Sequence, residues 1–197
     1  MSDPTLRLGT DADAAVCARL HAERITDGVL PALGVAFLTR VYRRIVRDPY
    51  SFVIVATVDF RVVGFVAGTH DTAQLYRRFA MRDGALAGLR ASPRLLRSVR
   101  RVWETVRYPS REGDGPLPPA ELLSLAVAAN AAGQGIGGML VLACLAEFGH
   151  RGVGAVRVIV SAANHAGLAV YRGHGFTDHT SIEVHKGERS EVLVWQA

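Results

Sequence analysis

The stretch AAGQGIGGMLVLACLAEF, residues Ala131–Phe148, decides how this chain is interpreted, because four glycines fall within six of its positions. Three short patterns fit those glycines equally well. Gly133, Gly135 and Gly138 fit the G-x-G-x-x-G fingerprint of a dinucleotide site. Gly133 and Gly137 fit the G-x-x-x-G spacing of packed membrane helices. The same glycines also fit a loop that binds a pyrophosphate group.

The neighbouring residues place this loop between a strand and a helix. Glu121 begins ELLSLAV, an apolar run typical of a buried central strand. After the loop, apolar residues recur at helical spacing. The first N–H groups of a helix are unpaired and carry partial positive charge, and glycines let the backbone approach an anion closely. The sequence therefore predicts a phosphate cradle made by Gly133, Gln134, Gly135, Ile136, Gly137 and Gly138.

The rest of the chain argues against the two competing patterns. A dinucleotide fold needs an acidic residue at the end of the next strand, and VIVSAANH contains none. Leu122–Ala146 is uncharged and long enough to cross a bilayer, but Asn130, Gln134 and the clustered glycines divide it into a strand and a helix. We therefore expect no transmembrane segment here.

The remaining segments predict a mixed α/β domain. LRLGT is a short strand, Asp11 caps a helix from Ala12 to about Arg24, and a second amphipathic helix ends near Asp48. SFVIVATV and RVVGFVAGT form a hairpin through Asp59 and Phe60. After the strand AVRVIVSA come a short helix capped by Asn164 and a closing antiparallel pair, FTDHTSIEVHK and SEVLVWQA.

A basic insertion separates the third and fourth predicted strands. Residues 72–119 contain helical pieces, the clearest of which starts at Ser92. Between Thr72 and Arg111 there are ten arginines and only two acidic residues, Asp83 and Glu104. Because the net charge of the whole chain is only +5, the excess of positive charge is concentrated in this segment. A solvated arginine face is the favoured interpretation. Binding to nucleic acid or anionic lipid is the alternative, and nucleic acid is not expected because few aromatic residues are interleaved.

Composition suggests an ordinary globular protein of a reducing compartment. Hydrophobic residues make up 49% and charged residues 21% of the 197 residues, and we expect residues 1–197 to form a single domain. Cys17 and Cys144 lie in apolar surroundings typical of core residues. The beginning MSDPTLRLGT lacks the features of a signal peptide, so we expect a cytoplasmic protein. The seven histidines show no metal-ligand spacing, and no metal is expected.

The order strand, glycine loop, helix, strand and N-x-x-x-x-x-x-Y-x-x-x-G-F resembles the GNAT superfamily of acyl-CoA-dependent N-acyltransferases. The matching residues are Gly133–Gly138, Asn164, Tyr171, Gly175 and Phe176. The strong resemblance covers Glu121–Phe176, and a weaker one extends over the helix pair and the hairpin. Two positions depart from the family: Ala132 replaces a polar loop residue, and Gly167 stands where alanine is usual.

The resemblance implies a GNAT-like sheet, mixed and mostly antiparallel, twisted and flanked by helices. It implies an N-acetyltransferase that passes the acetyl group of acetyl-CoA to a primary amine of a small molecule by direct attack in a ternary complex. A larger acyl group and a non-catalytic binding protein remain alternatives. A homodimer is a further option, and the sequence does not identify the acceptor.

The resemblance also implies roles for individual residues. Tyr171 is the candidate acid for the leaving thiolate. Leu125, Ala126 and Val127 pair with the pantetheine arm, and a backbone N–H near Leu125 polarises the thioester carbonyl. Asn164 either contacts the cofactor or only caps its helix. Glu121 is the candidate base, with a water chain as the alternative and His70 and Asp71 in reserve.

Overall fold

The computed structural model describes residues 3–25, 33–82, 117–185 and 188–197. The described strands form one seven-stranded sheet. In chain order the strands are β1 (Thr5–Leu8), β2 (Ser51–Val58), β3 (Arg61–Thr69), β4 (Glu121–Val127), β5 (Ala155–Ser161), β6 (Thr177–His185) and β7 (Glu188–Gln196). The helices are α1 (Ala14–Arg24), α2 (Val35–Arg47), α3 (Thr72–Arg82), α4 (Ile136–His150) and α5 (His165–Gly173).

The sheet order is β1-β2-β3-β4-β5-β7-β6, and every neighbouring pair except β4 and β5 is antiparallel. This arrangement confirms the mixed α/β domain predicted from the sequence pattern and the mostly antiparallel sheet that the resemblance implied. The closing pair β6–β7 is confirmed as antiparallel. The structure adds that β7 lies between β5 and β6, so the last strand of the chain is an inner strand.

Helices cover both faces of the sheet, and the alternation along β2 shows how. Phe52, Ile54 and Ala56 pack in a core with α4, whereas Val53 and Val55 pack in a second core with α1 and α2. Successive residues of a strand point to opposite faces. A strand buried on both faces reads as a continuous apolar run, which explains SFVIVATV.

The β2–β3 turn is a two-residue hairpin loop, as expected. Asp59 and Phe60 have φ angles of 48° and 62°. Positive φ at both central residues is the type I′ geometry that matches the twist of the flanking strands. The Phe60 side chain is fully exposed at the tip. Tertiary pairing of the two strands thus holds a conformation that glycine or asparagine would adopt more readily.

The sequence prediction placed the start of the first helix too early. Helix α1 begins at Ala14, and Asp11 does not cap it but pairs with Arg47 of α2. Asp13, at the helix start, accepts hydrogen bonds from Arg7 and from the backbone N–H and hydroxyl of Thr10. The guanidinium of Arg7 lowers the pKa of Asp13 to about 2. This carboxylate therefore connects the start of α1 to β1, and its side chain does not cap the helix.

The structure describes only part of the predicted insertion, so only that part of the prediction can be compared with it. Helix α3 is present at its start, whereas the helix predicted from Ser92 and most of the following Pro/Gly-rich loop lie outside the described residues. The uncharged segment Leu122–Ala146 is divided between β4, a short 3-10 turn and α4. Among the described residues, none of the helices is both long and apolar enough to cross a membrane.

We predict that Gly68→Ala destabilises the fold. A Cβ at Gly68 would lie 2.7 Å from the ring of Phe52 and 2.8 Å from that of Phe148, and these rings pack edge to face. Overpacking of this kind costs about 1–3 kcal/mol. Chemical denaturation measures the change. Gly149→Ala, in α4 with no described atom within 4 Å of its Cβ position, is the control and should be neutral or slightly stabilising. Equal stability of the two variants would contradict the prediction.

Candidate active site

Strands β4 and β5 separate almost as soon as they meet. Between these described strands the parallel pairing is limited to Glu121 with Arg157 and Leu122 with Val158. The later residues of β4 remain paired to β3 on their other side. One edge of β4, from Leu123 to Val127, is therefore left without a neighbouring strand in the described part of the chain. Leu125, Ala126 and Val127, the residues expected to pair with pantetheine, all lie on this edge.

An irregularity in β4 falls at the same place. Ser124 pairs with Ala67 of β3 and Leu122 pairs with Gly68, so Leu123 is an extra residue without a partner within the described sheet. A bulge of this kind bends the strand and redirects the backbone groups beside it. It changes the alternation of side chains, so Leu123 packs with the core on the α1 and α2 face, as Ala126 does.

The glycine loop leads from the end of β4 into α4. After the turn Ala129–Ala131, Gly133 and Gly135 have φ angles of 78° and 76°, which side chains rarely adopt. No described atom lies within 4 Å of a Cβ built at Gly133, Gly135 or Gly137. Met139 N–H donates to Gly135 O, so the preceding N–H groups of the first turn have no acceptor one turn back in α4. The geometry fits an anion cradle.

The other residues of the loop have different environments. Ile136 is buried and anchors the start of α4, whereas Gln134 is exposed and its side-chain amide donates to Asn130 O at 3.4 Å. Gly138 is close to the ring of His174, which would lie 2.8 Å from a Cβ at that position. The Nδ1 atom of His174 is 2.7 Å from Val170 O, so it carries the hydrogen. Gly138 thus allows α4 to approach the end of α5 closely.

Tyr171 lies on α5, the helix that follows β5. It is 6% exposed, and its ring packs edge to face on Phe176 at a centroid distance of 5.6 Å. Burial raises the pKa of Tyr171 well above its ordinary value. A tyrosine hydroxyl is protonated at neutral pH, which is the form that an acid requires, and burial keeps it so.

Asn164 caps α5. Its Oδ1 accepts a hydrogen bond from Gly167 N–H at 2.9 Å. A Cβ at Gly167 would lie 2.7 Å from the Asn164 amide, so alanine at this position would require the capping side chain to shift. Of the two roles left open for Asn164, the structure supports the cap, and contact with a cofactor stays a prediction.

Glu121 takes part in a buried ion pair. Its Oε2 accepts hydrogen bonds at 2.9 Å from Nε and Nη2 of Arg157 and from the Thr72 hydroxyl. The side chains of Glu121 and Arg157 are only 12% and 10% exposed. This contact connects α3, β4 and β5 where the two strands are still paired. It lies at the narrow end of the cleft that opens as β4 and β5 separate. It favours a structural role for Glu121, and the base role stays a prediction that depends on Oε1.

The two reserve candidates lie away from the glycine loop. Asp71 Oδ1 accepts from Gln74 N–H at the start of α3. His70 lines a cavity of about 790 Å³ together with Ala120 and Ala155, which precede β4 and begin β5. Burial lowers the pKa of His70, with a further contribution from Arg151. The cavity is at the opposite end of β4 from the loop, so His70 does not contribute to the cleft.

Three polar residues that the sequence analysis missed form a hydrogen-bonded chain beside β4. The hydroxyl of Tyr42, on α2, lies 2.6 Å from His21 Nδ1 of α1 and 2.9 Å from Ser124 Oγ of β4. Burial lowers the pKa of His21 to about 4. The histidine on an apolar helix face and the lone serine in an apolar strand were the only signals in the sequence, and neither indicates its partner.

A model of the acetyltransferase (GNAT) family matches residues 25–176. The chain belongs to this family, and it is by class an acyltransferase. No curated protein sequence matches the chain.

Solved structures share its fold. One is PaiA N-acetyltransferase from Thermoplasma acidophilum in complex with coenzyme A, with 12% identity, TM-score 0.63 and complete coverage of both chains. Another is ribosomal-protein-alanine N-acetyltransferase from Brucella melitensis, with 19% identity, TM-score 0.64 and coverage of 98% and 99%. A third is yncA from Salmonella typhimurium with its cofactor acetyl-CoA, with 14% identity, TM-score 0.63 and coverage of 99% and 94%.

We predict that Glu121 and Arg157 are thermodynamically coupled. Removal of one partner from a buried pair leaves the other charge without compensation, so Glu121→Gln and Arg157→Met should each cost about 2–4 kcal/mol. The double variant should cost less than the sum of the two. Urea denaturation measures all three variants. The matched control is the more exposed pair Glu147–Arg151, whose Glu147→Gln variant should lose less than about 1 kcal/mol. Additive losses at Glu121 and Arg157 would show that the pair is not coupled.

Proposed function

We propose that the protein transfers the acetyl group of acetyl-CoA to a primary amine of a small-molecule acceptor by direct attack in a ternary complex. One observation carries the proposal: β4 and β5 diverge, the glycine loop follows one of them, and the helix with Tyr171 follows the other. The cradle would hold the pyrophosphate, with Gly133–Gly138 supplying backbone N–H groups. The unpaired edge of β4 would hold the pantetheine amides through Leu125–Val127.

The residues of the cleft suit each requirement of acyl transfer. Acetyl-CoA supplies a thioester carbonyl for the amine to attack and a thiolate that leaves. The amine nitrogen forms the new C–N bond as the C–S bond breaks, and the Tyr171 hydroxyl gives its proton to the sulfur. Charge on the sulfur is also disfavoured in a buried cleft, which raises its affinity for that proton. A backbone N–H of the β4 edge near Leu125 would stabilise the oxygen of the carbonyl.

The amine must also lose a proton. Free amines have pKa values of about 8 to 10, so most are protonated at neutral pH. Glu121 could accept the proton only through Oε1, since Oε2 accepts three hydrogen bonds. This occupancy favours a chain of water molecules that carries the proton out of the cleft. Once the C–N bond has formed, the nitrogen loses a second proton, which replaces the one that Tyr171 gives to the sulfur. The products are then the amide, the CoA thiol and one proton released to water.

Release of free CoA thiol tests the proposed function. Acetyl-CoA is incubated with polyamines, amino sugars, aminoglycosides, amino acids and peptides with free N-termini. We expect at least one small amine to raise CoA release well above the background without acceptor. Release with peptides alone would assign a protein acceptor, and background rates with every class would contradict the proposal.

With an amine that reacts, Tyr171→Phe should lower kcat about 100-fold while acetyl-CoA affinity stays the same, because only the proton donor is lost. Tyr50→Phe is the matched control, since Tyr50 is 46% exposed and lies outside the cleft. Wild-type turnover in Tyr171→Phe would remove the acid role from this tyrosine.

We further predict that Gly137→Ala weakens acetyl-CoA binding without weakening the fold. Gly137 is helical, and its Cβ position is free of described atoms, so alanine should keep or raise the stability. The new methyl group would occupy space beside the proposed pyrophosphate. We expect the KM for acetyl-CoA to rise about tenfold, which corresponds to about 1.4 kcal/mol. Gly149→Ala, in the last turn of the same helix, is the control. Unchanged KM in Gly137→Ala would move the phosphate site elsewhere.

A further inference from the structure

The chain His21–Tyr42–Ser124 has no role in the function proposed so far. Tyr42 is 2% exposed and His21 5% exposed, while Ser124 is partly exposed. The Tyr42 ring is held edge to face against Phe65, at a centroid distance of 5.0 Å, and against His21. A hydrogen-bonded chain of this kind, nearly buried at one end and reaching a partly exposed strand residue at the other, fixes the orientation of its outermost hydroxyl.

The distances give the chain a direction. The contact of 2.6 Å between Tyr42 and His21 is short for an N–H donor and ordinary for an O–H donor. Because burial lowers the pKa of His21 to about 4, the imidazole is neutral at pH 7 and has one nitrogen that accepts. The short contact favours Tyr42 as the donor to His21 Nδ1, which places the imidazole hydrogen on Nε2. In that arrangement the Tyr42 oxygen accepts from Ser124 at 2.9 Å, and this direction is part of the proposal below. With its hydrogen used, Ser124 Oγ offers only lone pairs to another group.

Ser124 stands where an acceptor would approach the proposed cleft. It follows the last β4–β5 pair, Leu122 with Val158, and adjoins the bulge at Leu123. Its hydroxyl faces Tyr42 on the α1 and α2 side of the sheet, whereas α4, which starts in the glycine loop, packs on the other side. The next residue, Leu125, lies on the edge proposed for pantetheine. A group that enters from the α1 and α2 side would therefore meet Ser124 beside the thioester.

We propose that Ser124 belongs to the acceptor site: its Oγ accepts a hydrogen bond from the attacking amino group, and Tyr42 and His21 hold it in that orientation. The inference rests on the proposed function, since it assumes that an amine attacks in the cleft between β4 and β5. A primary amine has an N–H to donate to Ser124 and keeps its lone pair for the carbonyl carbon. Tyr42 and His21 are positioning residues, because they act on the amine only through Ser124.

Kinetics of the full chain with three probes test the role of Ser124: spermidine, glucosamine and a hexapeptide that begins with alanine. For an amine that reacts, Ser124→Ala should lower kcat/KM for the amine about tenfold, with acetyl-CoA affinity unchanged. Ser124→Thr keeps the hydroxyl and should recover most of the loss. Tyr42→Phe should have a smaller effect, and the double variant should be no worse than Ser124→Ala. Wild-type kcat/KM in Ser124→Ala, an equal loss of acetyl-CoA affinity, or additive effects would overturn the proposal.

Nitrogen NMR of the chain labelled at histidine tests the direction without any acceptor. At pH 7 the Nδ1 of His21 should be unprotonated, and its signal should shift in Tyr42→Phe while that of Nε2 changes little. A hydrogen on Nδ1 would reverse the chain and overturn the proposal. The two failures are distinct. If the wild type releases no CoA with any amine class of the screen described above, the proposed function fails and the role of Ser124 toward the amine fails with it, whatever the direction of the chain.

Discussion

The short contact between β4 and β5 determines the shape of the whole candidate site. It consists of two residue pairs, and the Glu121–Arg157 ion pair lies across the first of them. Beyond this point each strand is held by its other neighbour: β4 by β3, and β5 by β7 along all seven residues from Ala155 to Ser161. The sheet thus behaves as two well-paired halves joined at one end. Opening a cleft between the two halves loses few backbone hydrogen bonds, because most backbone N–H and C=O groups are already paired within each half.

The two halves meet again through their helices, which limits how far the cleft can open. Strand β4 leads through the glycine loop to α4, and β5 leads to α5, which carries Tyr171. His174, just after α5, packs directly on Gly138 in the first turn of α4. The ion pair at one end and this close packing at the other fix the separation of the strands. The proposed phosphate cradle and the proposed acid are therefore held in fixed relative positions by contacts within the protein.

Local patterns in the sequence predicted most of the helices and strands. The features that were not predicted depend on pairing between distant segments. The β-branched runs of β2 and β3, the glycine loop and the Asn164 cap are short-range features, and the structure has each where it was expected. The limited β4–β5 pairing and the insertion of β7 between β5 and β6 depend on contacts between distant segments. Glu121 shows the same limit at the site: its residue type and position suggested a base, but its partner Arg157 is 36 residues away. No sequence periodicity connects His21, Tyr42 and Ser124.

The glycines of this chain fall into two groups, and the difference bears on where a ligand sits. At Gly68, Gly138 and Gly167 a side chain would collide with neighbouring atoms, so packing alone explains the residue. At Gly133, Gly135 and Gly137 the space is free of described atoms, although glycine costs conformational entropy and, in a helix, stability. Open space alone is a weak criterion, because Gly149 is equally open at the other end of α4. Of these open positions, only Gly133, Gly135 and Gly137 combine free space with the unpaired N–H groups of a helix N-terminus. Gly133 and Gly135 have φ angles of 78° and 76°, so their backbone conformation also favours glycine. At Gly137 neither packing nor φ accounts for glycine, and the proposed anion site supplies a reason for it.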